Sequence, residues 1–185
     1  MQRRALITSC AVLGLVSLPA VAQPQTPDPE NTLYLDLNQG RVVIQLLPDV
    51  APKHVAQIKT LARQGFYDGT PFHRVIEGFM AQGGDPTGTG TGGSKLPNIP
   101  PEFSQLHFVR GACGMARSSD PGSANSQFFI MFAPAPSLDG QYTIWGRVVR
   151  GMEFVDSIKR GAGSNGQVLG EPDRIVHLRV AADVK

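Results

Sequence analysis

In the segment TLYLDL, Leu33, Leu35 and Leu37 alternate with Tyr34, Asp36 and Asn38, the period-two pattern of a half-buried strand. Asn38-Gln39-Gly40 is a turn signal, and from Arg41 to Leu47 a second alternation puts Val42, Ile44 and Leu46 on one face. The pair predicts an opening β-hairpin. The period then changes. Pro52 suits the first turn of a helix, PKHVAQIKTLAR carries Val55, Ile58 and Ala62 at helical spacing with Leu61 beside them, and Gly65 is the stop. Arg110 to Ala116 predicts a strand of small residues. In QFFIMF, Gln127, Phe129 and Met131 face one way, and Phe128, Ile130 and Phe132 the other. Tyr142 to Val149 is a further strand holding Trp145, Met152 to Ile158 a second short helix, and Ile175 to Ala181 a closing strand.

These elements are mainly β, joined by hairpin-like turns, and the absence of βαβ alternation argues against a parallel sheet. A closed antiparallel barrel would satisfy every strand edge, with the two helices over its open ends; a sandwich fits the same pattern. The 185 residues suit one domain, and 21 Gly with 15 Pro fit a sheet protein better than a helical bundle. Gly83 to Pro101 is a long loop of Gly, Pro, Thr and Ser, and loops of that length are usually functional or disordered.

The first 22 residues have the pattern of a signal peptide: Arg3 and Arg4, an uncharged apolar run from Ala5 to Leu18, and the cleavage pattern Ala20-Val21-Ala22. Residues 23–31 (QPQTPDPEN) are the composition of a disordered linker, leaving 32–185 as the folded domain. Export to the periplasm or outside the cell is the expectation, with no membrane attachment after cleavage. Removing the signal takes two of the 17 basic residues and none of the 15 acidic ones, so the formal charge falls from +2 to zero. Nothing in that balance favours nucleic acid or an anionic membrane. Of the two Cys, only Cys113 remains, in a small-residue run where a buried small hydrophobe is expected and no intramolecular disulfide can form.

Several motifs carry little. Gly88-Thr-Gly90-Thr-Gly92-Gly93 matches G-x-G-x-x-G, yet the proline-rich SKLPNIPP that follows cannot start the helix a dinucleotide site needs. His54, His73, His107 and His177 lack metal-ligand spacing; His54 and His177 are expected at the surface. Ser118, Ser119, Ser123 and Ser126 cluster in one loop with no nucleophile elbow. FHRVIEGFMAQGGD, from Phe72 to Asp85, is different: it sets Arg74 and Gln82 among Phe72, Val75, Ile76, Phe79 and Met80. A cation in such a run needs either an internal carboxylate or a ligand. The residues alone make the carboxylate the simpler account. With Gln127, Phe129 and Leu138 the same residues could form an apolar pocket with few polar fixtures. It would offer neither nucleophile nor acid–base pair, and bond rotation is chemistry that needs neither.

FHRVIEGFMAQGGD, then GTGTGG, MARSSDPGSANSQFFIMF and LDGQYTIWGRV, in this order, resemble the cyclophilin family of peptidyl-prolyl cis-trans isomerases, in a bacterial exported form. The resemblance runs from about Thr32 to Val180. It implies a closed eight-stranded antiparallel β-barrel capped by two short α-helices, no cofactor and no metal, a monomer, and proline-containing polypeptides as substrates. It implies Arg74 as the catalytic residue. Phe79, Met80, Phe129 and Leu138 would line the proline pocket, Gln82 and Gln127 would hold the substrate backbone, and Gly90, Ala116, Arg117 and Tyr142 would contribute to binding. Arg117 stands where Asn is common, Tyr142 where His is common, and Glu77 replaces a Pro. Ser137 replaces a Trp, which implies weak sensitivity to cyclosporin more than lost catalysis; Trp145, on the next strand, does not compensate. The competing expectations are a proline-peptide-binding chaperone module with little turnover, and a nucleotide-dependent oxidoreductase resting only on the glycine match.

Overall fold

The computed structural model describes residues 28–184; the expected signal peptide and most of the expected linker lie outside them. Eight strands form a single antiparallel sheet: β1 (Thr32–Leu37), β2 (Gly40–Leu46), β3 (Arg74–Ile76), β4 (Met80–Gly83), β5 (Ala112–Met115), β6 (Phe128–Met131), β7 (Ile144–Arg150) and β8 (His177–Val180). Their order is β3-β4-β6-β5-β7-β2-β1-β8, with the predicted hairpin pairing Leu33 to Ile44 and Leu35 to Val42. The helices are α1 (Pro52–Arg63) and α2 (Met152–Asp156).

The sheet is curled, and closure by a strand ladder was an overstatement. β3 and β8 are its two ends, and no ladder joins them. Isolated bridges span the gap, Pro71 to Arg174 and Arg74 to Gln167, with backbone bonds such as Phe72 N–H to Asp173 O (2.9 Å) and Val75 N–H to Gly166 O (2.7 Å). The segments 69–75 and 166–175 thus form a seam. Backbone groups are satisfied there without a regular strand pair, which is what a buried chain requires.

The core lies inside the curl. Leu33, Leu35, Ile44, Phe72, Val75, Ala81, Cys113, Ile130 and Trp145 are fully buried there, with Val55, Ile58, Leu61 and Ala62 of α1. Trp145 meets Phe128 edge-on at 5.8 Å, so it is a core residue. Cys113 is buried, as its neighbours suggested, and burial pushes its thiol pKa well up. The expected linker ends early. Pro29–Asn31 form a 3₁₀ turn capped by Asp28, and Glu30 pairs with Lys59 and Arg63 of α1.

His54 corrects a second expectation, because it is fully buried. It shares the apolar face of α1 with Ile58 and Leu61, at helical spacing. Its partner is Glu102, which accepts from His54 Nδ1 at 2.7 Å and from the backbone N–H of Lys53 and His54 at 3.1 and 3.0 Å. A carboxylate from a distant loop therefore satisfies the first turn of a helix that has no local cap. His177 is exposed, as expected.

This pair makes stability pH-dependent. Burial holds the His54 ring below the usual histidine range, despite Glu102. Burial alone would raise Glu102, but the donors around it outweigh that and hold it low. As pH falls below about 6.5, the unfolded His54 takes up a proton that the fold resists, so stability drops. The contribution of Glu102, complete above its unfolded pKa, is lost at still lower pH as it falls through the depressed folded value. Urea unfolding is expected to show a midpoint that declines from pH 7 to pH 5. Glu102→Ala should cost about 1–3 kcal/mol at pH 7; a flat pH profile would contradict this account.

Candidate active site

The outer face of β3, β4, β6 and β5 carries the site. Register places Arg74 opposite Gln82 and Gln82 opposite Phe129. The alternation in β6 holds: Phe128, Ile130 and Phe132 enter the main core, while Phe129 and Met131 join a second cluster with Met80, Phe108 and Ile144. Phe79, Ala116, Leu138 and Tyr142 pack on that second cluster.

Phe129 is the floor. Phe108 stacks on it at 5.6 Å, and Tyr142 meets it edge-on at 5.8 Å. Both phenyl rings cross β5 at Gly114, where a Cβ would lie 2.3 Å from Phe129 Cζ and 2.7 Å from Phe108 Cε1. Only glycine fits. Phe108 and Gly114 were not among the sequence candidates; the run Gly111-Ala112-Cys113-Gly114 was the one visible signal that something crosses this strand.

Arg74 is half-buried and has no carboxylate partner among the described residues. Its Nε donates to Asn165 O at 2.9 Å and its Nη1 to Gln82 Oε1 at 3.1 Å. Gln82 Nε2 donates to Gln127 Oε1 at 2.9 Å, and Gln127 Nε2 donates to Gly90 O and Gly92 O at 3.0 and 2.8 Å. The glycine loop is also held from beneath. Asp85, buried, accepts from Thr87 N–H and Oγ1, Gly90 N–H and Gly92 N–H at 2.7–3.0 Å. Burial alone would raise its pKa, and these donors outweigh that and keep it low. At Gly92 a Cβ would sit 2.1 Å from Asp85 Oδ1, so this glycine serves packing and no helix follows it.

Two adjoining cavities result. The smaller, about 170 Å³, is lined by Phe79, Met80, Phe129, Leu138 and Tyr142, with Arg74, Gln82, Ala116 and Arg117 at its polar side. The larger, about 540 Å³, takes in Gly90, Gln127, the glycine loop and Asn125. Gly90 and Gln127 therefore line the second cavity and not the first, while Gln82, Ala116 and Arg117 border both. Every sequence candidate falls on one cleft. Ser137 is exposed beside Leu138, and Glu77 pairs with Arg160. Among the described residues no base is bonded to the four loop serines; Ser118 and Ser123 bond to each other, and Ser126 Oγ donates to Gly84 O.

The model of cyclophilin type peptidyl-prolyl cis-trans isomerases (CLD) matches residues 32–180. The chain belongs to the cyclophilin family. It is similar to a probable peptidyl-prolyl cis-trans isomerase of Brucella suis, at 50% identity with 98% of each chain covered. It is also similar to peptidyl-prolyl cis-trans isomerase-like 1 of Mus musculus, at 41% identity over 75% of this chain and 85% of the relative. Among solved structures, a cyclophilin from Hirschia baltica matches with a TM-score of 0.76 and 29% identity, covering 87% of this chain and 77% of that one. A cyclophilin type isomerase from Cryptosporidium parvum, crystallised in the presence of the dipeptide Ala-Pro, matches with a TM-score of 0.73 and 30% identity, covering 80% and 98%. The chain is a cyclophilin-type peptidyl-prolyl cis-trans isomerase.

In this cyclophilin the floor depends on Gly114. Gly114→Ala is expected to force Phe129 and Phe108 aside, with a stability loss of about 1–3 kcal/mol in chemical denaturation. Isomerase activity should fall with it, since the floor moves; unchanged stability and turnover would show that the crossing tolerates a methyl group.

Proposed function

We propose that this isomerase acts on X-Pro bonds of exported polypeptides, as a monomer, with Arg74 as its catalytic residue and no cofactor. The supporting observation is the state of Arg74. It stands at the polar side of an apolar cavity, its orientation set by Asn165 O and Gln82, while the described residues leave Nη2 without an acceptor. A guanidinium held this way has donors to spare.

The reaction demands one. Amide resonance sets a rotation barrier of about 18–20 kcal/mol, and unaided X-Pro isomerisation takes tens to hundreds of seconds. In the twisted state the prolyl nitrogen becomes pyramidal and regains a lone pair. A hydrogen bond from Arg74 to that lone pair exists only in the twisted state, so it lowers the barrier without stabilising the planar form equally. Phe79, Met80, Phe129 and Leu138 would hold the pyrrolidine ring; Gln82 and Gln127 would fix the flanking backbone.

Arg74→Ala is expected to lower kcat/KM on an Ala-Pro peptide by about 10²–10³-fold with the fold intact. Arg74→Lys should fail to restore it, because an ammonium lacks the planar fork. Exchange spectroscopy on the peptide with substoichiometric protein gives the readout; wild-type exchange in Arg74→Ala would remove Arg74 from the mechanism.

Export rests on residues 1–22, with their basic start, apolar run and A-x-A ending. Expression of the full chain in a Gram-negative host should yield a periplasmic protein whose first residue is Gln23, read by N-terminal sequencing. A cytoplasmic product that keeps Met1 would overturn this reading.

A further inference from the structure

Arg117 carries the second charge on the cleft, and it lies on the wall between the two cavities. Three contacts fix its guanidinium. It sits over the Tyr142 ring at 4.4 Å; Nε and Nη2 donate to Gln141 O at 3.3 and 3.0 Å; Nη1 donates to Ser118 O at 2.9 Å. All these partners are neutral. They hold the group in place, and among the described residues its charge is uncompensated, with N–H donors still free on Nη1 and Nη2.

Among the described residues no carboxylate lines either cavity. None of the carboxylates on the adjoining segments, among those same residues, bonds to Arg117. Asp120 caps its own turn through Gly122 N–H, Asp139 takes His107 and Phe108 N–H, and Asp85 is enclosed beneath the glycine loop. The rest of the larger cavity is neutral, including Thr91, Ser94, Ser123 and Asn125. A polypeptide with its proline in the smaller cavity therefore passes a fixed, unpaired cation on its way into the larger one.

We propose that Arg117 is a specificity-determining residue that selects substrates with an acidic side chain flanking the proline, the carboxylate pairing with Arg117 in the larger cavity. This rests on reading the smaller cavity as the proline pocket. The charge is half-exposed, so the preference is modest and sensitive to salt. It acts through binding, and it enters KM more than kcat.

The test compares matched proline peptides carrying Glu, Gln, Lys or Phe at each of the two positions before and the two positions after proline. At one or more of these positions, kcat/KM for Glu should exceed that for Gln by about two- to fivefold at low salt, with Lys below Gln. At high salt the Glu-to-Gln ratio should approach one. Arg117→Gln should bring it to one at low salt too, while Arg117→Lys should keep part of it. Equal turnover of Glu and Gln peptides by the native protein at all four positions overturns the proposal and leaves the isomerase reading standing. So does a Phe preference that salt does not change, which would mark the larger cavity as an apolar subsite. No turnover of any peptide would overturn the reading of the proline pocket and the proposal with it.

Discussion

An arginine can donate hydrogen bonds and cannot accept them, and that asymmetry orders the whole cleft. Because Arg74 donates to Gln82, the Gln82 amide must present its oxygen to Arg74 and its nitrogen to Gln127. Gln127 then presents its own oxygen and donates onward to the carbonyls of Gly90 and Gly92. Two amides that could each face either way are set by one guanidinium. The glycine loop, which has no regular secondary structure, is fixed in turn between that relay above and the Asp85 carboxylate below.

The relay needs its members at the right separation, and the sheet supplies this. Arg74 and Gln82 are paired across β3 and β4, and Gln82 is paired with Phe129 across β4 and β6, so polar fixture and apolar floor are neighbours by register. β6 is apolar on both faces because it serves two clusters, the core within the curl and the floor of the cleft outside it. A one-residue slip of β6 would exchange Phe128 for Phe129 and destroy both at once.

Much of this was legible in the chain. The hairpin from Thr32 to Leu46, helix α1, the two-faced β6 and the grouping of Arg74, Gln82 and Phe129 follow from periodicity and from specific motifs. What escaped depends on contacts between distant residues. His54 had the spacing of a buried position, but a histidine is stable there because of Glu102, 48 residues on. Phe108 and Gly114 form one packing unit that no local pattern announces. The division of the cleft into two cavities arises from side-chain volumes, so motif order could not separate Gly90 and Gln127 from the smaller, apolar one. Strand ends at the seam escaped for a related reason: the bonds there join loops, which carry no alternation.

The seam also ties the orientation of Arg74 to a distant part of the chain. The carbonyl that aims Arg74 belongs to Asn165, 91 residues later in the chain, and Val75 is tied to Gly166 beside it. Contacts of such separation carry a large loop-closure cost and reward the chain only once both ends are in place. A copy in which the segment around Asn165 had not docked on β3 would keep its apolar floor and lose the bond that orients Arg74. The orientation of Arg74 is therefore a property of two segments far apart in the chain, and not of the strand that carries it.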